Sequence, residues 1–340
     1  MTQFESEKES APNGEEGAAA KTTTHADASE NANNLNSTPL NSTPLWLRVG
    51  AELLGSFLVC FVIYMAYTLP TALYSPNLAF IAIATGLAYA IVTFIFGRIS
   101  GGQFNPAVTI AAMLTSKTQL VDGLLYIIAQ VLGGIAAGAV FKSVLPVSQS
   151  LPIKLWLTYA ANGFESGSVS STALKGAGAS FSITLAILVE VVAGILIVAA
   201  AMSTLGKDGN ATSRQPWAMG LAYGAGAAFT YPVTGAALNP ARATGVAIVA
   251  QNQGLTQEPL QQLWVFWIVP VLAAALVALI LVAQELFAKT ATPAAVAEPE
   301  AVEVDADAAA DENSVEQSDA DVRDEQADSQ GNADEGIESN

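Results

Sequence analysis

Two short segments carry the polar groups whose type and spacing suggest chemistry: Ser100-Gly101-Gly102-Gln103-Phe104-Asn105-Pro106-Ala107-Val108-Thr109 and Thr234-Gly235-Ala236-Ala237-Leu238-Asn239-Pro240-Ala241-Arg242. In each, Asn followed by Pro reads as a helix N-cap and first helical residue, because a helix start has no partner for the N–H that proline lacks. A capping asparagine spends its side-chain oxygen on the helix and keeps an NH2 with two donors free to point elsewhere. Each helix N-terminus also carries about half a positive charge from its aligned peptide dipoles. Two such ends facing each other would offer hydrogen bonds to a neutral oxygen and repel a cation, without making or breaking a covalent bond. For covalent chemistry the sequence is bare. His25 is the single histidine and Cys60 the single cysteine, the latter set in an apolar run as a small filler, so an intrachain disulfide is excluded. No nucleotide loop, catalytic dyad or metal-ligand cluster is present, so no enzyme, metal site or cofactor is expected.

The elements that must position these boxes follow from hydropathy. Hydrophobic residues make up 52% of the 340 residues and charged ones 13%, the balance of a membrane protein. Runs of spanning length cover residues 46–67, 77–96, 120–141, 180–202, 217–231 and 263–287. The apolar run after each box, ending at Leu114 and at Ala250, is roughly ten residues or about 15 Å long, half a bilayer core. Neither can cross alone. Interrupted short helices at matching points of two similar halves mark a site near the membrane midplane. Three full spans per half is an odd number, so the second half enters in the opposite sense and the two half-helices approach from opposite faces. The expected fold is therefore an all-α membrane protein of six spans and two re-entrant half-helices in an inverted repeat. Gly134-xxx-Gly138 and Gly220-xxx-Gly224 predict close helix contacts. Glu52 and Glu190 stand at similar places in the first span of each half, where a carboxylate needs hydrogen-bonding partners or a polar cavity.

The formal charge of -17 does not belong to this region. Residues 1–45 hold 7 acids and 2 bases, residues 46–289 hold 7 and 10, and residues 290–340 hold 16 and 1. Both tails are acidic, compositionally disordered and read as solvated, with no cleavable secretory signal at the start and no footprint for nucleic acid. The middle, 46–289, is the folded domain, with repeat halves at about 46–141 and 179–287. Residues 142–178 read as a long polar connection folding over one mouth. Placing both termini inside puts Arg48, Arg98, Lys117, Lys207, Arg214 and Lys289 on the inner side against Lys142, Lys154 and Lys175 outside, in keeping with the positive-inside rule.

The paired Asn-Pro-Ala boxes, Ser100-Gly101-Gly102 before the first, Arg242 directly after the second, and Leu263-Trp264-Val265-Phe266-Trp267-Ile268-Val269-Pro270 together resemble the major intrinsic proteins, which comprise aquaporins and glycerol facilitators. The resemblance spans about residues 46–287 and departs at Gln103, where bacterial water channels often carry His. It implies a passive water channel in the cell membrane, a multi-pass homotetramer embedded in lipid. Asn105, Pro106, Ala107, Asn239, Pro240 and Ala241 would form the pore boxes, and Arg242 the filter arginine. Glu52 and Glu190, with Gln103, would brace the re-entrant loops. Counting back from the boxes, Thr85, Ala227 and Ala236 would line the constriction beside Arg242, where a typical water-selective member has an aromatic ring and a His at the first two places. Ala243 stands where glycerol facilitators usually carry Asp, and Ala247 with Phe266-Trp267 follows the water-channel pattern. The expectation is a water-channel lineage with a filter wide enough for small uncharged solutes such as glycerol or urea. Two other classes remain open: a secondary transporter using the buried glutamates, and a membrane scaffold with a vestigial pore.

Overall fold

The computed structural model describes residues 42–291; most of them are helical, and one isolated bridge joins Leu205 and Ala211. The expectations for the acidic tails fall almost wholly outside the described residues. In chain order the helices are α1 (Leu45–Leu73), α2 (Leu78–Ser100), α3 (Pro106–Leu114), α4 (Leu120–Val144), α5 (Ile153–Ala160), α6 (Val169–Leu174), α7 (Ile183–Thr204), α8 (Gln215–Thr234), α9 (Pro240–Ala250), α10 (Pro259–Gln262) and α11 (Val265–Ala291).

Among the described residues, five helical segments are long and apolar enough to cross a membrane: α1, α2, α4, α7 and the stretch Pro259–Ala288. The span expected at 217–231 is present as α8, which has 20 residues, about 30 Å and one hydrocarbon thickness. It stands apart by composition because its polar residues turn inward: Gln215, Tyr223, Thr230, Tyr231 and Thr234 are all buried. The outward faces are apolar, with Leu87, Ile91 and Phe94 exposed on α2 and Leu272, Leu276 and Leu279 on α11. That is the pattern of a bundle solvated by lipid.

Packing follows an exchange between halves. α1 packs on α2 and α4, and α7 in the same way on α8 and α11; the half-helix α3 lies against α11 of the other half, and α9 against α4. α2 and α8, the second span of each half, pack on each other. Small residues permit these approaches. A Cβ at Gly134 would run into the Ala241 carbonyl, one at Gly245 into the Gly134 carbonyl, and one at Gly86 would lie 2.6 Å from the Gly220 carbonyl oxygen. The Gly134-xxx-Gly138 and Gly220-xxx-Gly224 pairs thus serve contacts inside the chain, α4 with α9 and α8 with α2.

The segment 142–178 departs from the expectation of a polar connection, since α5 and α6 form within it. Ile153, Trp156, Leu157 and Ala160 recur at helical spacing and make one apolar stripe. Trp156, Leu157 and Ala160 are buried against Tyr64, Phe141 and Val246 in a local core, which fixes the residues that follow α5.

Candidate functional site where two half-helices meet

Each box is shaped by its backbone. α2 ends at Gly101 and α8 at Gly235, both left-handed (φ 89° and 70°), the conformation glycine adopts at no steric cost. The turn then requires left-handed residues without that freedom: Phe104 (φ 47°), Ala236 (φ 51°) and Leu238 (φ 56°). Such conformations persist only where surrounding contacts over-determine them, and here those contacts come from the two buried glutamates.

Glu52 Oε1 accepts from Ser100 Oγ (2.6 Å) and the Gln103 N–H (3.0 Å), and Oε2 from the Phe104 N–H (2.7 Å) and Gln130 Nε2 (2.8 Å). Glu190 repeats this on the other box, accepting from Thr234 Oγ1 (2.5 Å), the Ala237 N–H (3.1 Å) and the Leu238 N–H (3.0 Å). Ser100 matches Thr234, Gln103 matches Ala237, and Phe104 matches Leu238. The inverted repeat is thus expressed bond by bond. The Gln103 side chain turns away and donates to Thr118 Oγ1 at 2.7 Å.

The asparagines cap as their sequence context requires. Asn105 Oδ1 accepts from the Ala107 N–H (2.9 Å), and Asn239 Oδ1 from the Ala241 N–H (2.9 Å). Their amides then cross between halves: Asn105 Nδ2 donates to the Leu238 carbonyl (2.9 Å), and Asn239 Nδ2 to the Phe104 carbonyl (2.7 Å). The second hydrogen of each amide does not meet open lumen. Asn105 Nδ2 also donates to Tyr223 Oη (2.7 Å), and Asn239 Nδ2 to Tyr89 Oη (2.8 Å). The donors expected to face a passing solute are held, in this conformation, by two tyrosine hydroxyls.

Arg242 lies in the first turn of α9 and is buried. Its guanidinium donates to Asn162 Oδ1 and to the Ala160 carbonyl (3.1 Å), and its own carbonyl accepts from Tyr64 Oη (2.6 Å). Its Nε is buried without a partner among the described residues, which leaves one charged N–H for a neighbouring oxygen. The small residues Thr85, Ala227 and Ala236 are buried as well, but the space beside the guanidinium is not left empty. The Tyr67 ring, from α1, lies 5.0 Å from the Arg242 guanidinium carbon, meets Tyr231 edge to face at 5.1 Å, and its hydroxyl bonds Thr85 Oγ1 at 2.9 Å.

Several contributors therefore went unforeseen from the sequence. Tyr89 lies four residues after Thr85 and Tyr223 four before Ala227, so helical spacing from those two positions already places them on the same faces. Tyr67 has no such pointer, being one of several inward residues on α1. Asn162 sits just past α5, and only recognising that helix would have located it.

Comparison with known proteins agrees with this architecture. Residues 39–281 match the family described as Major intrinsic protein. Aquaporin Z of Photorhabdus laumondii is 33% identical over 230 residues, 66% of this chain and 91% of that protein. The lens fiber major intrinsic protein of Gallus gallus is 32% identical over 243 residues, 71% of this chain and 82% of that one. In fold, the chain is similar to the aquaglyceroporin from Plasmodium falciparum, with a TM-score of 0.51 over 69% of this chain and 94% of the other. At 16% identity that likeness bears on architecture alone. With two capped half-helices joined end to end inside a bundle of apolar helices, and with this match over most of its length, the chain belongs to the major intrinsic protein family of membrane channels.

Proposed function

We propose that the protein conducts water passively through the axis on which α3 and α9 meet, and that each chain holds its own pore. The single observation that carries this reading is the reciprocal pair of bonds from Asn105 to the Leu238 carbonyl and from Asn239 to the Phe104 carbonyl. They hold two positive helix ends face to face, an arrangement that favours neutral oxygens and opposes cations. Asn105-Pro106-Ala107 and Asn239-Pro240-Ala241 form the midplane boxes, Glu52, Glu190 and Gln103 brace them, and Arg242 with Thr85, Ala227 and Ala236 forms the outer filter. The glutamates are engaged by backbone and side-chain donors on both oxygens, which favours bracing over a proton relay.

Solute range is the finer part of the reading. Thr85, Ala227 and Ala236 leave room at the filter for small uncharged solutes such as glycerol or urea, and the Tyr67 ring takes part of it back. Glycerol is therefore expected to pass, more slowly than water. Proteoliposomes in an inward glycerol gradient should swell faster than empty ones; swelling equal to empty liposomes, with water flux intact, would contradict the passage of glycerol.

The distribution of Arg and Lys supports a cell-membrane orientation with both termini cytoplasmic, and the family resemblance supports a homotetramer. The acidic tails carry no box, brace or filter residue. Deleting residues 1–40 and 296–340 is expected to leave water flux per inserted channel nearly unchanged, as measured by light scattering normalised to protein. A truncated protein that inserts and assembles yet conducts poorly would assign the tails a gating role.

A further inference from the structure

Tyr89 and Tyr223 project side by side from the seam between α2 and α8, which the close approach of Gly86 to Gly220 brings together. Their rings are stacked, 5° from parallel with centroids 3.2 Å apart, and both are buried. Their hydroxyls occupy the second donor of each box asparagine. Two aromatic rings thus stand where the two half-helices meet, with both hydroxyl oxygens on the asparagine amides.

Resting on the channel reading above, we propose that the Tyr89–Tyr223 pair is the pore's narrowest element and sets its solute selectivity, in place of the outer filter built on Arg242. Three features of the site support this. The filter positions Thr85, Ala227 and Ala236 are small, so one ring, Tyr67, narrows the outer constriction beside Arg242, against two stacked rings at the boxes. The stacked pair is anchored at both hydroxyls, so a solute passes only after replacing the tyrosine oxygens on Asn105 and Asn239. A water can exchange for one hydroxyl at a time, because it offers both an acceptor and donors in a small volume. A glycerol must displace both rings together to pass, so the pair discriminates by size and by the number of hydrogen bonds it must surrender.

Stopped-flow light scattering on proteoliposomes tests this with two double variants. Tyr89→Ile with Tyr223→Val removes the rings, and unit water permeability is expected to rise about tenfold, equivalent to about 1.4 kcal/mol in the barrier. Glycerol permeability should rise by a larger factor than water. Tyr89→Phe with Tyr223→Phe keeps the rings and removes the hydroxyls, and its glycerol flux should stay far below that of the Ile/Val variant. If the Ile/Val protein does not assemble, Tyr223→Ala alone carries the test, with the same larger gain for glycerol than for water. Unmodified protein conducting both solutes as fast as the opened variant would overturn the proposal and leave the channel reading intact. An opened, correctly inserted variant that conducts no water would overturn both.

Discussion

Asn239→Leu is expected to bring the water permeability of proteoliposomes down to that of empty ones. Leucine has the same branching and number of side-chain heavy atoms as asparagine, so the main loss is one of hydrogen bonds. Asn239 Oδ1 caps α9 through the Ala241 N–H at 2.9 Å, and its amide holds the Phe104 carbonyl at 2.7 Å and Tyr89 Oη at 2.8 Å. Removing the cap costs about 1 kcal/mol, and each buried group left unpaired costs about 1–3 kcal/mol more. Phe104, held left-handed at φ 47°, loses the bond on its carbonyl and with it part of what fixes the opposite half-helix. One substitution therefore disturbs both boxes. Water flux at the level of the unmodified protein, in chains shown by protease protection to be inserted, would remove Asn239 from the pore.

Glu52→Leu carries the second large effect, on assembly. Four donors converge on this carboxylate: Ser100 Oγ, the Gln103 and Phe104 N–H groups, and Gln130 Nε2. All lie among buried residues. At about 1–3 kcal/mol for each stranded donor, their combined loss is comparable with the 5–15 kcal/mol that typically separates folded from unfolded protein. Glu52→Gln should fall between, because the amide keeps one acceptor oxygen and turns an NH2 toward two of the donors. Thermal melts in detergent are expected to rank the unmodified protein first, the Gln variant next and the Leu variant last, with the Leu protein largely aggregated on extraction. The same substitution at Glu190 strands three donors, Thr234 Oγ1 and the N–H groups of Ala237 and Leu238, and should be somewhat milder. Melting points that do not follow this order would mean that the loops hold their shape without the carboxylates.

How much of this was legible in the sequence varied with the physics that decides each part. The half-helices run from Pro106 and Pro240 to Leu114 and Ala250, as the Asn-Pro caps and apolar runs indicate, because local capping alone fixes a helix start. The long helices were located by hydropathy but extend past the apolar core; α1 continues to Leu73 through Pro70. The matching places of Glu52 and Glu190 were visible, whereas Gln130, a further partner of Glu52, was not, since nothing local to α4 marks it. Filter positions counted from the boxes named small residues at Thr85, Ala227 and Ala236. They could not show Tyr67 reaching in from α1, because that depends on the packing of α1 beside α2 and on which of its inward residues faces Arg242. The Tyr89–Tyr223 contact depends in turn on the α2–α8 seam, which brings together residues 134 positions apart in the chain. Fold and boxes are written in local patterns, while the shape of the constriction is written in tertiary contacts.

The most direct measurement is the osmotic water permeability of proteoliposomes holding the full chain, taken with and without an imposed ion gradient and set beside Asn239→Leu. Shrinkage faster than in empty liposomes, indifferent to the ion gradient and abolished by the substitution, is the result predicted for a passive water channel. Shrinkage no faster than in empty liposomes, for the unmodified protein and the Tyr89→Ile, Tyr223→Val variant alike, would contradict it, as would a flux that requires the ion gradient.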